Sequence, residues 1–365
     1  MKVLHVINSL GTGGAEKLIL DTLPLLSQKK GVEIHLALLD AKAYPFYEQM
    51  KKNTNIKIIE LSKGTPYNPL LIFKMIPLLR EYDLVHVHLF PAMYFVAFAK
   101  LLSLSKVKLV FSEHSTFNTR TNNMLLSILD KKVYKLYDHL IAVSHDVKST
   151  FDRYLNKFPI TLIDNGVNLC RIFTARGYEK EKLEIKQIDK NDFLIAQISA
   201  FRIGKRQDIL VKAMSLLPES AKLLLIGDGP DERKKQIKTL VKELDLEHRV
   251  FFLGLRMDIP ELLKTVDVNV LSSDFEGLSL SSIEGMASEK PFVASDVEGL
   301  RDIVNGSGIL FENENYKELS SILLKLMTDK QLAIEVGKKC KEKAKQYDIQ
   351  KTVDQTFQLY QRLLK

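Results

Sequence analysis

The chain has 365 residues, more than one hydrophobic core usually organises, so two domains are expected. Hydrophobic residues make up 45% and charged residues 27%, which is typical of a globular protein. The longest apolar stretch, 91–99, is far shorter than the roughly 20 residues of a membrane-spanning helix. The two cysteines have no metal-ligand spacing and form no disulfide framework, which favours a reducing cytoplasm.

The net charge of +8 is unevenly placed. Residues 1–170 hold 21 Lys and Arg against 14 Asp and Glu, whereas the remainder holds 32 against 31. A basic first half is typical of contact with an anionic membrane surface, a phosphate-bearing acceptor or nucleic acid, and equally of a lysine-rich solvated surface. The sequence has no basic helix and no RNA-binding motif of aromatic and basic residues, so we expect no nucleic-acid partner.

Short β-branched runs alternate with longer helical patterns, which predicts parallel sheets covered by helices on both faces. Strands are expected in the first half at 2–7, 32–39, 56–61, 84–88, 107–112, 140–143 and 160–163. In the second half they are expected at 193–199, 222–226, 250–253, 268–271, 291–294 and 308–311. The predicted fold class is therefore α/β, with two doubly wound Rossmann-like domains that face a cleft.

A charged, weakly periodic segment separates the two halves. We expect a first domain over 1–170, a linker over 171–190 and a second domain over 191–346. A final helical stretch follows over 347–365, after a break near Tyr347 and Asp348.

A glycine loop at 8–16 follows the first predicted strand and opens an amphipathic helix. Glycines at a helix N-terminus leave backbone N–H groups free for an anion and permit close approach of a ligand. The loop lacks the third glycine of a dinucleotide fingerprint, because Glu16 stands there, and it lacks the Lys of a phosphate loop. We expect Gly13 and Gly14 to bind an anion or a hydroxyl; a plain tight turn is the alternative.

Three histidines of the first half are candidates. His86 and His88 alternate on one predicted strand and so share a face, but no third or fourth metal ligand is evident. We expect His86 to be a hydrogen-bonded structural residue. His114 lies just past a strand, so a structural role and substrate contact are equally open, and the polar loop 115–123 that follows is a candidate acceptor-side loop.

The second half concentrates cations after its first strand. Arg202, Lys205 and Arg206 precede an expected helix start at Asp208, an arrangement that suits a diphosphate. A second strand then ends in a tight glycine turn at 227–230.

A loop and helix at 274–285 carry two glutamates. We expect Glu276 on the strand-to-helix loop and Glu284 about two turns into the helix. Backbone N–H groups of residues 277–279 at the helix start can bind phosphate, while the carboxylates can accept hydrogen bonds from sugar and ribose hydroxyls. Taken alone, Glu284 is equally well explained as a solvated helix residue.

Together these residues resemble the retaining GT-B glycosyltransferases of glycosyltransferase family 4, over the whole length of the chain. In chain order the matching motifs are Gly13-Gly14-x-Glu16, Asp83-x-Val85-His86-x-His88, His114, Asn165-Gly166-Val167-Asn168, Lys205, Gly227-x-Gly229-Pro230, Val250-x-Phe252-x-Gly254, Glu276-x7-Glu284 and Glu298-Gly299-x-Arg301-Asp302-Ile303-Val304. The Glu-x7-Glu segment is the specific one.

The resemblance implies roles for these residues. Glu276 holds the donor sugar, Glu284 binds the ribose, and Lys205 neutralises the diphosphate. The remaining residues implied in donor binding or catalysis are His114, Arg202, Arg256, Gly13, Gly14, Gly227, Gly277, Leu278 and Ser279. On the acceptor side we expect Glu16, His88, Asn118 and Arg120.

The resemblance also implies that the C-terminal helix crosses back to the first, acceptor-side domain. The sequence departs from the family at one point, because Ala200 occupies the position of a usual arginine. Arg202 and Arg206 are the candidates to replace it.

The expected activity is retaining transfer of a hexosyl or N-acetylhexosaminyl group from a nucleotide-sugar. A UDP-sugar is the favoured donor and a glycan or lipid-linked glycan the acceptor, in cell-surface polysaccharide synthesis. No Asp-x-Asp pair occurs, so we expect no cofactor and no metal. We expect a cytoplasmic enzyme, in peripheral contact with the anionic inner membrane. The alternatives are an epimerase or phosphorylase on the same fold, or a non-catalytic sugar-nucleotide-binding protein.

Overall fold

A computed structural model describes residues 1–114, 124–183 and 185–365. The chain forms two compact units. Unit 1 contains Met1–Gly166 together with Ile349–Lys365, and unit 2 contains Val167–Asp348.

Unit 1 is built on a parallel sheet of seven strands in the order β3-β2-β1-β4-β5-β6-β7. These strands are β1 Lys2–Ile7, β2 Glu33–Leu38, β3 Lys57–Glu60, β4 Leu84–His88, β5 Lys108–Glu113, β6 His139–Ala142 and β7 Ile160–Leu162. The helices are α1 Gly14–Ser27, α2 Pro45–Asn53, α3 Leu71–Leu78, α4 Ala92–Ser103, α5 Met124–Tyr134, α6 His145–Leu155 and the last helix of the chain, α15 Ile349–Leu363.

Both faces of this sheet are buried, because successive side chains of β1 enter different cores. Leu4 and Val6 pack in one apolar cluster, while Val3 and Ile7 pack in the other. The second cluster includes residues of α1 and α15, which pack against each other.

Helix α15 joins unit 1 through one apolar stripe. Its buried residues recur at helical spacing, so they share a face: they are Ile349, Thr352, Val353, Thr356, Leu359 and Tyr360. The helix predicted over 347–365 begins at Ile349, two residues later than predicted, and it packs as part of unit 1.

Unit 2 contains a parallel sheet of six strands in the order β10-β9-β8-β11-β12-β13. Its strands are β8 Phe193–Ile198, β9 Ala221–Ile226, β10 Val250–Gly254, β11 Val268–Leu271, β12 Phe292–Ser295 and β13 Ile309–Phe311. Its α-helices are α7 Leu169–Thr174, α8 Gln207–Met214, α9 Asp231–Glu243, α10 Ile259–Thr265, α11 Leu280–Ala287, α12 Leu300–Val304, α13 Tyr316–Thr328 and α14 Lys330–Ala344. Short 3-10 helices cover Lys180–Leu183, Ile203–Lys205 and Lys345–Tyr347.

The predicted α/β class with two Rossmann-like parallel sheets is confirmed, and every predicted strand is present with its ends within one residue of the prediction. The structure differs over the predicted linker. Leu183 and Ile188 are buried in an apolar cluster with Leu194 and Leu224, so the described residues of this segment, 171–183 and 185–190, pack as part of unit 2. The many charged residues of this segment predicted a linker, although Leu183 and Ile188 pack in the core of unit 2.

Candidate active site

The candidate donor residues follow two neighbouring central strands of unit 2. β8 and β11 lie side by side, yet the chain leaves β8 toward β9 and leaves β11 toward β12 on the other side. Loops that diverge from adjacent parallel strands leave a crevice at the carboxyl ends of the strands, where ligands bind in doubly wound sheets. Lys205 follows β8 and Glu276 follows β11, so the fold brings both residues to this point.

Lys205 and Glu276 form the centre of the site. The Lys205 ammonium donates to Glu276 Oε1, which also accepts a 2.6 Å hydrogen bond from the Ser273 hydroxyl. Glu276 is only 8% exposed, so its carboxylate depends on these two donors in place of water. Sequence reasoning named both charged residues but missed Ser273, which precedes Glu276 by three residues.

Two buried side chains fix the backbone beneath Lys205. The Gln197 amide donates to the Lys205 carbonyl at 2.7 Å, and the Ser272 hydroxyl donates to the Arg206 carbonyl at 2.8 Å. The Ser272 hydroxyl also lies 3.0 Å from Gln197 Oε1. The cation is therefore carried on a turn that β8 and β11 hold rigidly.

The structure separates the roles of the two arginines that flank Lys205. Arg206 donates to Asp274 at 2.8 Å, to Asp208 at 3.3 Å and to Glu314. Burial lowers its pKa, but these carboxylates outweigh that effect and raise the pKa overall. Arg206 is thus committed to holding its own loop together.

Arg202 is exposed, and within the part of the chain that the structure describes its side chain forms no ion pair. Its guanidinium is therefore available to a ligand.

Helix α11 begins next to Glu276. Ser279 is its N-cap and forms no side-chain cap, while the N–H groups of Gly277, Leu278 and Ser279 have no backbone acceptor among the described residues. Such a helix start attracts anions. Glu284 is the fifth residue of α11 and partly exposed, so it lies one turn into the helix and the predicted two turns are wrong.

Two glycines with positive φ hold these loops close together. Gly227 has φ +143°, and a Cβ there would lie 2.1 Å from the Ser199 carbonyl oxygen. Gly299 has φ +82°, and a Cβ there would lie 2.1 Å from the Glu276 carbonyl oxygen. Only glycine combines this backbone conformation with this approach. Gly299 was quoted in the sequence pattern without a role; it supports the Glu276 loop.

Arg256 lies after β10 and is held by a neighbouring carboxylate. Its guanidinium donates twice to Asp258, through Nε at 2.8 Å and through a terminal nitrogen at 2.5 Å. The Tyr178 hydroxyl donates to the same carboxylate at 2.9 Å. The guanidinium plane is thereby held in one orientation.

The corresponding strands of unit 1 carry a buried cluster of histidines. His5 lies on β1 and pairs in register with His86 on β4, and His88 follows two residues later on the same face. They are 1%, 3% and 2% exposed. The predicted shared face of His86 and His88 is therefore present, with their ring centroids 4.2 Å apart.

His86 is hydrogen-bonded on both sides. Its Nδ1 lies 2.5 Å from the Tyr360 hydroxyl of α15 and its Nε2 lies 2.7 Å from the Ser112 hydroxyl. Sequence reasoning missed His5 and Tyr360. The available signal for His5 was a lone polar residue inside an apolar strand, at the register position opposite His86.

The cluster adds a third histidine to the pair considered for metal binding. One ring nitrogen from each of His5, His86 and His88 lies within 4.8 Å of the others. Burial lowers the pKa of His5 to about 3, and burial followed by neighbouring imidazoles lowers those of His86 and His88 well below the usual value. The rings are therefore neutral at neutral pH.

The other unit 1 residues with a predicted role in donor binding, catalysis or acceptor binding lie near the start of α1, at the end of β4 and after β5. Gly13 caps α1, Gly14 is its first residue, and Glu16 folds back so that a Cβ on Gly13 would lie 2.4 Å from Glu16 Oε2. A carboxylate at a helix N-terminus stabilises the helix, so Glu16 has a structural role here. The Nδ1 of His88 lies 3.4 Å from the Nε2 of His114. Asn118 and Arg120 lie outside the described residues.

Two family models match this chain in succession. The model described as Glycosyltransferase Family 4 matches residues 12–171, and the model described as Glycosyl transferases group 1 matches residues 179–347. With the two Rossmann-like sheets, these matches show that the chain belongs to the GT-B glycosyltransferases of the family 4 type. It is a glycosyltransferase.

Relatives with assigned activities are similar over most of this chain. The N-acetylgalactosamine-N,N'-diacetylbacillosaminyl-diphospho-undecaprenol 4-alpha-N-acetylgalactosaminyltransferase of Campylobacter jejuni is 28% identical, with 94% of each chain covered. The N-acetyl-alpha-D-glucosaminyl L-malate synthase of Bacillus anthracis is 28% identical over 82% of this chain and 80% of the relative. The crystal structure of Anabaena HepE in complex with UDP and glucose has a TM-score of 0.85 at 21% identity, covering 99% of this chain and all of that one. Its likeness shows the fold.

Among the described residues, none of the helices is long and apolar enough to cross a membrane. The apolar run at the end of α4 is mainly buried, since Phe95, Val96 and Ala99 are core residues, while Leu101 and Leu102 are exposed.

Proposed function

We propose that this glycosyltransferase moves a hexosyl or N-acetylhexosaminyl group from a UDP-sugar to a lipid-linked glycan, with retention of the anomeric configuration. One observation carries the proposal: a buried carboxylate, Glu276, is aligned by Lys205 and Ser273 beside the open N-terminus of α11. The Campylobacter jejuni relative, whose name specifies a diphospho-undecaprenol acceptor, supports the choice of acceptor.

The charges of the site fit a nucleotide diphosphate. A diphosphate at the start of α11 would accept hydrogen bonds from the N–H groups of residues 277–279. It would also compete with Glu276 for the Lys205 ammonium. Arg202, the exposed cation, is the second phosphate ligand that we propose, since Arg206 is engaged by three carboxylates. Glu276 then becomes available to accept hydrogen bonds from the donor sugar, and Glu284 from the ribose.

We propose that the acceptor attacks on the face from which the nucleotide departs. The anomeric carbon loses its bond to the phosphate oxygen and gains one to the acceptor oxygen, and the acceptor hydroxyl proton passes to the departing phosphate. Lys205, Arg202 and the α11 N–H groups stabilise the charge that develops on that phosphate. This mechanism assigns no side chain as a covalent nucleophile.

A donor panel tests the activity. The protein is incubated with UDP-, GDP- and ADP-sugars and an undecaprenyl-diphosphate-linked N-acetylhexosamine, and nucleotide release and product are measured. We expect UDP release that depends on acceptor, and NMR of the product should show the donor's anomeric configuration. An inverted product would refute retention. Tight donor binding without release from any donor would favour a binding protein.

We also propose that transfer needs no metal ion, because cationic side chains and the N-terminus of α11 can bind the diphosphate in its place. Activity should persist after dialysis against a chelator. Loss of transfer that Mn²⁺ or Mg²⁺ restores would refute this proposal.

For localisation, we propose that unit 1 rests on the cytoplasmic face of an anionic membrane. Large apolar side chains are exposed on and around α3, α4 and α5: Tyr67, Leu70, Phe73, Leu101, Leu102, Leu104, Leu126, Ile128 and Leu129. Exposed Lys63, Lys74 and Lys106 lie in the same stretches of chain. Apolar side chains among lysines fit the interface of anionic lipids.

Vesicle flotation tests this contact. Vesicles with phosphatidylglycerol should bind the protein, and Phe73→Asp with Leu102→Asp should reduce the bound fraction several-fold. Ile334→Asp, which replaces a 51% exposed apolar residue of unit 2, is the matched control and should bind normally. Equal binding by all variants would contradict the proposed surface.

A further inference from the structure

A continuous chain of hydrogen-bonding groups runs through the core of unit 1 and ends at His114. Its members come from β1, β4, β5 and α15 and lie on the face of the sheet that α1 and α15 cover. Burying this many polar groups costs stability unless each is hydrogen-bonded, so packing alone does not account for this hydrogen-bonded chain.

The contacts follow one another without a branch. Ser112 Oγ lies 2.7 Å from His86 Nε2, and His86 Nδ1 lies 2.5 Å from the Tyr360 hydroxyl. The Tyr360 hydroxyl lies 3.2 Å from His5 Nε2. His5 Nδ1 lies 3.1 Å from His88 Nε2, and His88 Nδ1 lies 3.4 Å from His114 Nε2. All ring nitrogens of the three buried histidines are thereby engaged. A neutral imidazole has one N–H and one lone-pair nitrogen, so each ring donates on one side and accepts on the other.

This constraint leaves the chain only two states. Either every group donates toward His114, or every group donates toward Ser112. Protonated rings would break the pattern, but burial lowers the pKa of His5 to about 3 and that of His114 to about 4, and it raises the pKa of Tyr360. The choice between the two states therefore depends on the ends of the chain.

The Ser112 end favours one state. Ser112 is 4% exposed, and over the described ranges His86 is the partner of its hydroxyl oxygen. If the chain ran toward Ser112, this hydroxyl would accept from His86 and its own proton would lack an acceptor. A buried unsatisfied donor is costly, whereas donation to His86 Nε2 satisfies the group.

We propose that the chain runs from the Ser112 hydroxyl to His114 and thereby holds the His114 proton on Nδ1. His114 then meets its ligand as an N–H donor, and it does not act as a base through that nitrogen. This inference rests on the proposed function and on the role in donor binding or catalysis that the family resemblance implies for His114. Tyr360 links His86 to His5 within the hydrogen-bonded chain, so it is a positioning residue for transfer although it lies on the last helix.

The tautomer can be observed directly. In protein labelled with ¹⁵N-histidine, long-range ¹H–¹⁵N NMR distinguishes the two neutral tautomers, and His114→Asn assigns the signal. We expect wild-type His114 to carry its proton on Nδ1. Ser112→Ala removes the directing hydroxyl and Tyr360→Phe interrupts the chain, so both variants should show a mixture of tautomers.

Tyr137→Phe is the matched control. Tyr137 is also a buried tyrosine of unit 1, but its hydroxyl donates to the Met93 carbonyl at 2.6 Å, outside the chain. This variant should leave the His114 signal unchanged. Should Tyr360→Phe fail to fold, Ser112→Ala still tests the proposal, because it removes one oxygen atom and leaves the other links in place.

Activity supplies a second readout. Ser112→Ala and Tyr360→Phe should lower kcat about tenfold, the factor that corresponds to one neutral hydrogen bond, with the donor KM unchanged. A wild-type His114 proton on Nε2, or an unchanged tautomer in both variants, would overturn the proposal. So would Zn²⁺ that survives dialysis and shifts the nitrogen signals of His5, His86 and His88. The expected tautomers in a protein without transfer activity would support the chain and refute the proposed function alone.

Discussion

The central strands of the two sheets carry opposite kinds of polar chemistry. In unit 2, the charged groups Lys205 and Glu276 lie in loops beyond β8 and β11, and the buried polar side chain within β8, Gln197, is a neutral amide. In unit 1, they lie within β1 and β4 and are neutral, as His5 and His86 are. Loops can present charges to a ligand because water and ligand reach them, whereas strand interiors accept only groups that satisfy one another.

The first prediction tests the neutrality of the unit 1 cluster, and it has the largest expected effect. The folded pKa values of His5, His86 and His88 lie below the usual value near 6.5, so the unfolded chain binds protons first as pH falls. Their stability contribution is complete above pH 6.5 and is lost as pH falls toward about 3. We expect a loss of about 4 kcal/mol per pH unit below pH 6, from three histidines at about 1.4 kcal/mol each.

Urea unfolding between pH 7.5 and 5.5 measures this effect. The exposed His145 provides the control, because His145→Asn should leave the slope unchanged. A free energy of unfolding that stays level over this range would contradict a neutral, buried cluster.

The second prediction tests the charge at the centre of unit 2. Glu276→Gln keeps the shape of the side chain but removes the charge that Lys205 and a sugar hydroxyl require, so kcat/KM should fall by about 10²–10³-fold. Steady-state transfer kinetics measure the loss. Glu298→Gln, which changes an exposed glutamate of the same unit, should retain activity. Equal rates for wild type and Glu276→Gln would remove Glu276 from the site.

The third prediction tests how the unit 2 loop is held. Gly299→Ala combines a left-handed backbone with a contact to the Glu276 carbonyl oxygen, and should cost roughly 2–3 kcal/mol and weaken donor binding. Gly306 is the matched control, because it has φ +79° but no atom within 4 Å of an added Cβ. Gly306→Ala should lose about 1 kcal/mol and keep its donor affinity. Titration calorimetry with UDP measures the donor affinity of both variants, and scanning calorimetry measures their stability. Equal donor affinities would show that the contact between residue 299 and the Glu276 loop is unimportant.

The fourth prediction separates the two arginines and has the smallest effect. Arg202→Gln should raise the donor KM about tenfold, the loss of one charge-assisted hydrogen bond, without changing the melting temperature. Arg206→Gln should instead lower the melting temperature, because Asp208, Asp274 and Glu314 lose their shared cation. The reverse pattern would assign the phosphate to Arg206.

Much of the fold was predictable because the strands are buried on both faces. Their apolar β-branched runs, such as 84–88 and 268–271, stand out from the charged helices between them, and all thirteen appear with the predicted order of elements. Lys205 and Glu276 were predictable as candidates for the same reason: each follows a recognisable strand. The predicted linker at 171–190 failed because two apolar residues, Leu183 and Ile188, are too few to form a periodic pattern.

The sequence by itself determined the elements, the fold class and the charged residues that follow β8 and β11, because these depend on local patterns and strand order. Only the tertiary structure decided which groups meet. It commits Arg206 to carboxylates and leaves Arg202 exposed, and it brings Tyr360 to His5 and His86 across more than 270 residues of chain. Such contacts arise from how helices pack on sheets, and spacing along the chain carries no record of them.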